Sequence, residues 1–210
     1  MSTYNFSDLL QIVADTVPDR IALVHGELEL TYTELNQFAD RVARVLVAKG
    51  VGANDNVGLQ LTNSPEYLAG FFGACRIGAV PFNVNYRYSS AELSYLYEDS
   101  RVKALLFDSE FSDDVKEACK PGSSPEVLLE VGGARLGENL AGILESVLPE
   151  IDAVRHDHDL IIIYTGGTTG YPKGVMWPHK HLFFSALGGG GFFHADGAVT
   201  HPEELVGRVS

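Results

Sequence analysis

Strand-like and helical apolar segments alternate along most of this chain, and that alternation limits its fold more than any other feature. The strand-like segments lie at 21–24, 57–61, 79–84, 104–107, 127–131 and 160–164. The segments between them carry apolar residues at helical spacing. Such alternation indicates βαβ units, so we predict an α/β fold with layered βαβ units and a mostly parallel sheet covered on both faces. Ligands of such sheets bind at the carboxyl ends of the strands.

Several helix starts can be recognised from local sequence. Thr31 and Ser89 are each followed three residues later by glutamate, which is the pattern of a capping box. Pro65 stands early in another predicted helix, where its missing N–H is harmless. Two further helices are predicted near 111–118 and 140–148.

Composition excludes several kinds of partner. Fifteen Lys and Arg against 28 Asp and Glu give a net charge of −13, which argues against nucleic acid and against an anionic membrane surface. No apolar run approaches the length of a transmembrane segment, and the first residues lack the features of a signal peptide. Cys75 and Cys119 form no C-x-x-C pair and indicate a reducing compartment. We therefore expect a cytoplasmic protein.

Glycine is enriched at 22 residues, and its most informative cluster follows the strand-like segment 160–164. Glycines allow consecutive N–H groups to approach an anion closely. The hydroxyls of Thr165, Thr168 and Thr169 can donate to phosphate oxygens or bind magnesium, and Lys173 adds positive charge. The cluster therefore indicates a polyphosphate cradle.

Other interpretations of this cluster stay open or weaken. It could instead be a glycine- and threonine-rich hairpin tip with a solvated lysine. It is not a Walker A motif, because Pro172 and not glycine precedes Lys173, and it is not G-x-G-x-x-G. The P-loop NTPase and Rossmann dinucleotide interpretations are therefore disfavoured.

The segment 164–175 resembles the AMP-binding signature of the adenylate-forming enzymes. That superfamily includes acyl-CoA synthetases, luciferases and the adenylation domains of nonribosomal peptide synthetases. Its usual pattern is Y-T-S-G-T-T-G-x-P-K-G-V, and this chain departs from it at Gly166, where serine is common. Gly166 keeps the backbone amide but lacks the hydroxyl donor, which weakens phosphate binding in principle.

The resemblance extends upstream through segments in the family's order, at 30–35, 63–67 and 78–81. Residues 83–88 are similar to the acyl-CoA synthetase branch, although a structural use of that stretch is expected over substrate contact. Gly166 and Gly167 together with 175–177 resemble the actinobacterial-type fatty-acid and steroid side-chain acyl-CoA synthetases.

The resemblance implies a domain assignment. Residues 1–210 would be the N-terminal portion of an AMP-binding domain with its phosphate loop at 164–175. The family's adenine, ribose and hinge segments and its C-terminal lysine domain have no match, so we interpret the chain as the first part of a larger enzyme. No catalytic residue is expected within it.

The resemblance also implies a reaction. A carboxylic acid, ATP and coenzyme A would give acyl-CoA, AMP and pyrophosphate through an acyl-adenylate, with Mg²⁺ as cofactor. Thr165 would be the magnesium contact. The nucleotide phosphates would be held by Thr165, Gly166, Gly167, Thr168, Thr169, Gly170 and Lys173.

Three functions stay in competition: an acyl-CoA synthetase portion, a catalytically incompetent nucleotide-binding chain, and an amino-acid-activating adenylation domain. Residues 83–88 disfavour the third. The acid and the oligomeric state stay open, and a homodimer is one state open to the full-length form.

The roles of two histidines also stay open. For His179 and His181 we expect surface imidazoles over a base or ligand role. For four phenylalanines we expect core packing over an acyl tunnel, namely Phe183, Phe184, Phe192 and Phe193.

Overall fold

The computed structural model describes residues 2–122, 125–167, 170–192 and 195–210. Its helices are α1 (Phe6–Thr16), α2 (Tyr32–Ala48), α3 (Pro65–Arg76), α4 (Ser90–Ser100), α5 (Ser112–Ala118), α6 (Leu140–Leu144), α7 (His179–Ala186) and α8 (Leu205–Val209). Its strands are β1 (Ile21–His25), β2 (Leu28–Thr31), β3 (Asn56–Gln60), β4 (Val80–Asn83), β5 (Val102–Asp108), β6 (Val127–Val131), β7 (Glu138–Asn139), β8 (Leu160–Gly167) and β9 (Gly170–Pro178). Within these residues no helix is long and apolar enough to cross a membrane.

Seven strands form one sheet in the order β7-β6-β5-β3-β4-β8-β9. Every neighbouring pair is parallel except β8 and β9, which are antiparallel. Strands β1 and β2 pair with each other in a separate antiparallel hairpin. The predicted mostly parallel α/β sheet is therefore confirmed.

The sheet is covered on both faces, as β5 shows. Ala104 and Leu106 belong to the core shared with α2, α3 and α6, whereas Leu105 and Phe107 belong to the core shared with α4 and α5. All four side chains have no exposed surface. Side chains alternate across a strand, so an unbroken apolar strand must have helices on both sides.

The predicted capping sequences form as expected. The Thr31 hydroxyl accepts from the Glu34 N–H at 3.2 Å, and the Glu34 carboxylate accepts from the Thr31 N–H at 2.8 Å. Ser89 and Glu92 repeat this exchange at 3.4 and 2.9 Å. Each exchange satisfies N–H groups that a helix start leaves without intrahelical partners.

Two local predictions need correction. The helix predicted over 140–148 ends at Leu144, and Pro149 follows soon after and disfavours helical backbone in the residue before it. Helix α1 is not among the predicted helices. Its start carries a cap, because the Asn5 side chain accepts from the Ser7 N–H at 2.8 Å.

Candidate functional site

The glycine- and threonine-rich segment is part of a β-hairpin and not an irregular loop. Strand β8 continues to Gly167 and β9 begins at Gly170, so most of the predicted loop pairs across the two strands. Pairing satisfies backbone groups that an open loop would leave to solvent. Thr168 and Thr169, two of the predicted phosphate ligands, lie outside the described residues. Residues 164–175 are called the Gly/Thr hairpin below.

The Gly/Thr hairpin lies at the edge of the sheet where ligands were predicted. Strand β8 runs parallel to β4, with Ile162 opposite Phe82, so its carboxyl end points the same way as those of the parallel strands. The carboxyl end of β8, at Gly167, therefore lies at that edge. Open α/β sheets bind their ligands at this edge.

Thr165 and Lys173 are direct cross-strand partners within the hairpin. Directly opposite residues have Cβ atoms roughly 5 Å apart, so the hydroxyl and the ammonium group belong to one small surface. Both residues are exposed, and no ion pair of Lys173 occurs in the part of the chain that the structure describes. Residues 164–175 contain no carboxylate, and Lys173 is their one charged side chain.

The hairpin glycines differ in how much room they leave for a side chain. A Cβ atom at Gly166 or Gly170 would meet nothing within 4 Å, so the serine that is usual at position 166 would fit. A Cβ at Gly174 would lie 2.9 Å from the Ile162 side chain and 3.0 Å from the Tyr164 ring. Glycine is therefore required by packing at Gly174 and not at Gly166.

The fit of magnesium to this hairpin rests on one protein oxygen. Thr165 is exposed and offers one hydroxyl oxygen, whereas no group of three or more His, Cys, Asp or Glu side chains suited to a metal occurs among the described residues. Magnesium commonly keeps several waters and takes further oxygens from substrate phosphates. The residues present fit a magnesium ion carried by a bound polyphosphate.

His179 is not the surface imidazole that we expected. It begins α7 and has no exposed surface. Its ring stacks on Phe6 with centroids 4.4 Å apart, and its Nδ1 accepts from the Phe6 N–H at 3.2 Å. Burial lowers the pKa of His179 to about 4. The helix buries one face against α1 and α3, and that packing overrides the polar character of the side chain.

His179 also lies near the start of β8, far from its glycine-rich carboxyl end. Its N–H donates to the carbonyl of Asp159, just before β8, and β8 extends roughly 17 Å from Leu160 to Thr165. His179 is therefore not among the side chains near Thr165 and Lys173. His181 is exposed, which confirms the expectation for it.

Buried polar contacts fix the start of β8 to the N-terminal residues. The Asn5 amide donates to the Asp159 carboxylate at 2.7 Å and to the Cys75 carbonyl at 3.0 Å. The Tyr4 N–H donates to Asp157 at 2.9 Å. These contacts hold the base of the hairpin against α1 and α3.

The phenylalanines that follow the hairpin differ in burial. Phe183 is 5% exposed and packs against Tyr4, so core packing is confirmed for it, whereas Phe192 is 85% exposed and the expectation is wrong there. Phe193 lies outside the described residues. Phe183 also lines an apolar groove of about 490 Å³ between α1, α3 and α7, near the base of the hairpin.

A parallel sheet that carries a glycine-, threonine- and lysine-bearing hairpin beyond its strand ends is typical of α/β proteins that bind phosphorylated ligands. The AMP-binding enzyme family matches residues 10–203 of this chain. The chain therefore belongs to the AMP-binding enzyme family.

Known relatives and structures agree with this assignment. The chain is 38% identical over 196 residues to the medium/long-chain-fatty-acid–CoA/3-oxocholest-4-en-26-oate–CoA ligase of Mycolicibacterium smegmatis, covering 90% of this chain and 36% of that protein. It is 39% identical over 176 residues to tyrocidine synthase 3 of Brevibacillus parabrevis, covering 83% of this chain and 2% of that protein. The chain thus spans about a third of the length of the first of these relatives.

A solved structure extends the likeness to the fold. The inhibitor-bound N-terminal domain of FACL13 from Mycobacterium tuberculosis superposes with a TM-score of 0.73 at 30% identity. The match covers 85% of this chain and 45% of that one. The predicted superfamily and its fold are confirmed.

Proposed function

We propose that this chain is the N-terminal, phosphate-binding portion of an ATP-dependent acyl-CoA synthetase. Such an enzyme converts a carboxylic acid, ATP and coenzyme A into acyl-CoA, AMP and pyrophosphate through an acyl-adenylate. The observation that carries the proposal is the Gly/Thr hairpin, which sets Thr165 opposite Lys173 at the carboxyl edge of the sheet. The name of the mycobacterial relative supports fatty acids or steroid side-chain acids as the substrate class.

The hairpin would act on the leaving group. When a carboxylate attacks the α-phosphorus of ATP, negative charge accumulates on the departing pyrophosphate. The Lys173 ammonium group neutralises part of that charge, and the hydroxyls of 165–170, together with the N–H groups that the strand pairing leaves available, hold the phosphates in place. A bound magnesium ion would supply further charge neutralisation with Thr165 as its protein contact.

Further parts of the proposal concern the whole protein. Coenzyme A is the second co-substrate and accepts the acyl group from the adenylate. A homodimer of the complete protein and a cytoplasmic location belong to the same proposal.

Titration of inorganic pyrophosphate and of Mg·ATP into the 210-residue chain tests the role of the hairpin. We expect Lys173→Ala to weaken both affinities about tenfold or more, because a charge-assisted contact to phosphate is lost. Lys116→Ala is the matched control, since Lys116 is also exposed but lies on α5. Equal affinities in the wild-type chain and Lys173→Ala would contradict the role of Lys173.

Amino-acid activation is the second candidate, and the likeness to tyrocidine synthase 3 favours it. The complete gene product should be assayed for ATP–pyrophosphate exchange with fatty acids, a steroid side-chain acid and amino acids in parallel. Exchange that depends on amino acids alone would replace the acyl-CoA synthetase proposal.

A nucleotide-binding chain without catalysis is the remaining alternative for the 210 residues alone. It predicts that the isolated chain binds Mg·ATP but forms no thioester from acid and coenzyme A. Thioester formation by the isolated chain would exclude this alternative.

A further inference from the structure

Helix α4 makes a ring contact with the Gly/Thr hairpin. Tyr171, in the first half of β9, stacks on Tyr95 of α4 with ring centroids 4.4 Å apart and planes at 22°. Tyr171 is 57% exposed. An offset aromatic stack of this kind adds stabilisation beyond the area that it buries. The stack therefore fixes β9 two residues before Lys173.

A second contact reaches the hairpin from the same helix. The Tyr164 hydroxyl donates to the Asp99 carboxylate at 2.8 Å. Burial and the Asp99 charge raise the pKa of Tyr164, so its hydroxyl stays protonated and remains a donor. Tyr164 is the cross-strand partner of Gly174, and a Cβ atom there would lie 3.2 Å from the tyrosine oxygen. The missing side chain at Gly174 leaves room for the Tyr164 ring.

Lys173 thus lies between two points that α4 holds. Two residues before Lys173, Tyr171 stacks on Tyr95 of α4. One residue after it, Gly174 pairs with Tyr164, whose hydroxyl donates to Asp99 of α4. Strand β9 is at the edge of the sheet in the described part of the chain, so the strand ladder supports it from one side only. Two-stranded ribbons twist readily, and contacts outside the ladder decide where such a ribbon points.

We propose that Tyr95 and Asp99 of α4 are positioning residues that hold the Gly/Thr hairpin, and with it Lys173, in its phosphate-binding position. The proposal rests on the proposed function, because a binding role of the hairpin is what gives its position a consequence. Neither residue touches the phosphates. Each acts through a tyrosine of the hairpin, namely Tyr171 for Tyr95 and Tyr164 for Asp99.

Two measurements on the 210-residue chain test this proposal. The first is hydrogen–deuterium exchange of the backbone amides in 170–175, where Pro172 has none, measured without ligand; it reports directly whether the contacts from α4 protect β9. The second is the affinity for inorganic pyrophosphate. We expect Tyr95→Ala and Asp99→Ala each to accelerate the exchange and weaken the affinity about three- to tenfold, with little change in the denaturant midpoint of the whole chain.

Conservative variants separate positioning from general packing. Tyr95→Phe keeps the ring that stacks on Tyr171 but loses the hydroxyl that contacts Asp99, so its exchange rate and affinity should lie closer to wild type than those of Tyr95→Ala. Tyr86→Ala is the matched control, because Tyr86 also stacks on another ring, that of Phe111, with centroids 5.6 Å apart. It should leave the amides at 170–175 unchanged.

Each outcome has a distinct meaning. If the amides of 170–175 exchange at the wild-type rate in both Tyr95→Ala and Asp99→Ala, α4 does not restrain the hairpin and the proposal is wrong. Faster exchange with unaltered pyrophosphate affinity would overturn the positioning role. If the wild-type chain binds no pyrophosphate, the proposed function fails, while the exchange data still decide whether α4 holds the hairpin.

Discussion

Lowering the pH should destabilise this fold through a single buried histidine, His179. The Phe6 N–H donates to its Nδ1, so the neutral ring is the form that fits the site. If Nδ1 were protonated, its N–H and the Phe6 N–H would both be donors facing each other, and the site is fully buried. The Sγ atom of Cys75, 3.9 Å from Nε2, offers little compensation, because burial keeps that thiol neutral and raises its pKa.

The size of the effect follows from the pKa. Burial lowers the pKa of His179 from 6.5 to about 4, which corresponds to about 3 kcal/mol between the two protonation states. Because the folded pKa is the lower one, the full stability is present above pH 6.5 and is lost as the pH falls toward 4. At about pH 5 the loss from this residue should be about 2 kcal/mol.

Urea unfolding at about pH 7 and about pH 5 measures the loss, since carboxylates titrate mainly below this range. His179→Asn is the informative variant, because its side-chain oxygen can accept from the Phe6 N–H and carries no charge at either pH. It should be less stable at pH 7 but should lose about 2 kcal/mol less than the wild-type chain between the two pH values. His181→Asn, exposed on the same helix, should keep the wild-type dependence.

The result that would refute this reasoning is an equal loss of unfolding free energy in the wild-type chain and His179→Asn. It would mean that the imidazole reaches solvent or finds an acceptor when protonated.

Two further substitutions follow from packing. Gly174→Ala should destabilise the chain by about 1–3 kcal/mol in urea unfolding, because its Cβ would meet the Tyr164 ring, whereas Gly166→Ala should have no such effect; equal stability of the two variants would contradict this. Arg76→Met should lower the free energy of unfolding by about 1–3 kcal/mol, because the buried Ser7 hydroxyl loses its guanidinium donor at 2.9 Å, whereas Asp40 keeps its ion pair with Arg44. A loss below about 1 kcal/mol in the Arg76 variant would show that this buried contact contributes little.

The fold could be predicted well because its signals are local. The capping boxes at Thr31 and Ser89 lie within four residues of sequence, and both form as predicted. The apolar strands alternate with helices, and that order alone indicates a parallel sheet. Helix α1 was within reach of the same reasoning, because Asn5 caps a segment with apolar residues at helical spacing.

The candidate site was only partly predictable. The sequence shows the glycines, threonines and lysine of the Gly/Thr hairpin directly, but it does not show how β8 pairs with β9. Whether Thr165 faces Lys173 depends on the register of β8 with β9, which the glycines by themselves leave open. The sequence therefore left a phosphate cradle and a hairpin tip open as alternatives, and only the pairing of β8 with β9 shows the hairpin.

The sequence by itself determined the alternation of elements, the helix starts and the glycine- and threonine-rich character of the segment 164–175, on which the proposed phosphate binding rests. Tertiary structure alone decided which side chains surround that segment and which histidine is buried. Tyr164 meets Asp99 across 65 residues of sequence, and Phe6 meets His179 across 173. Local patterns reflect backbone geometry over a few residues, whereas burial and partner choice depend on how whole elements pack against one another.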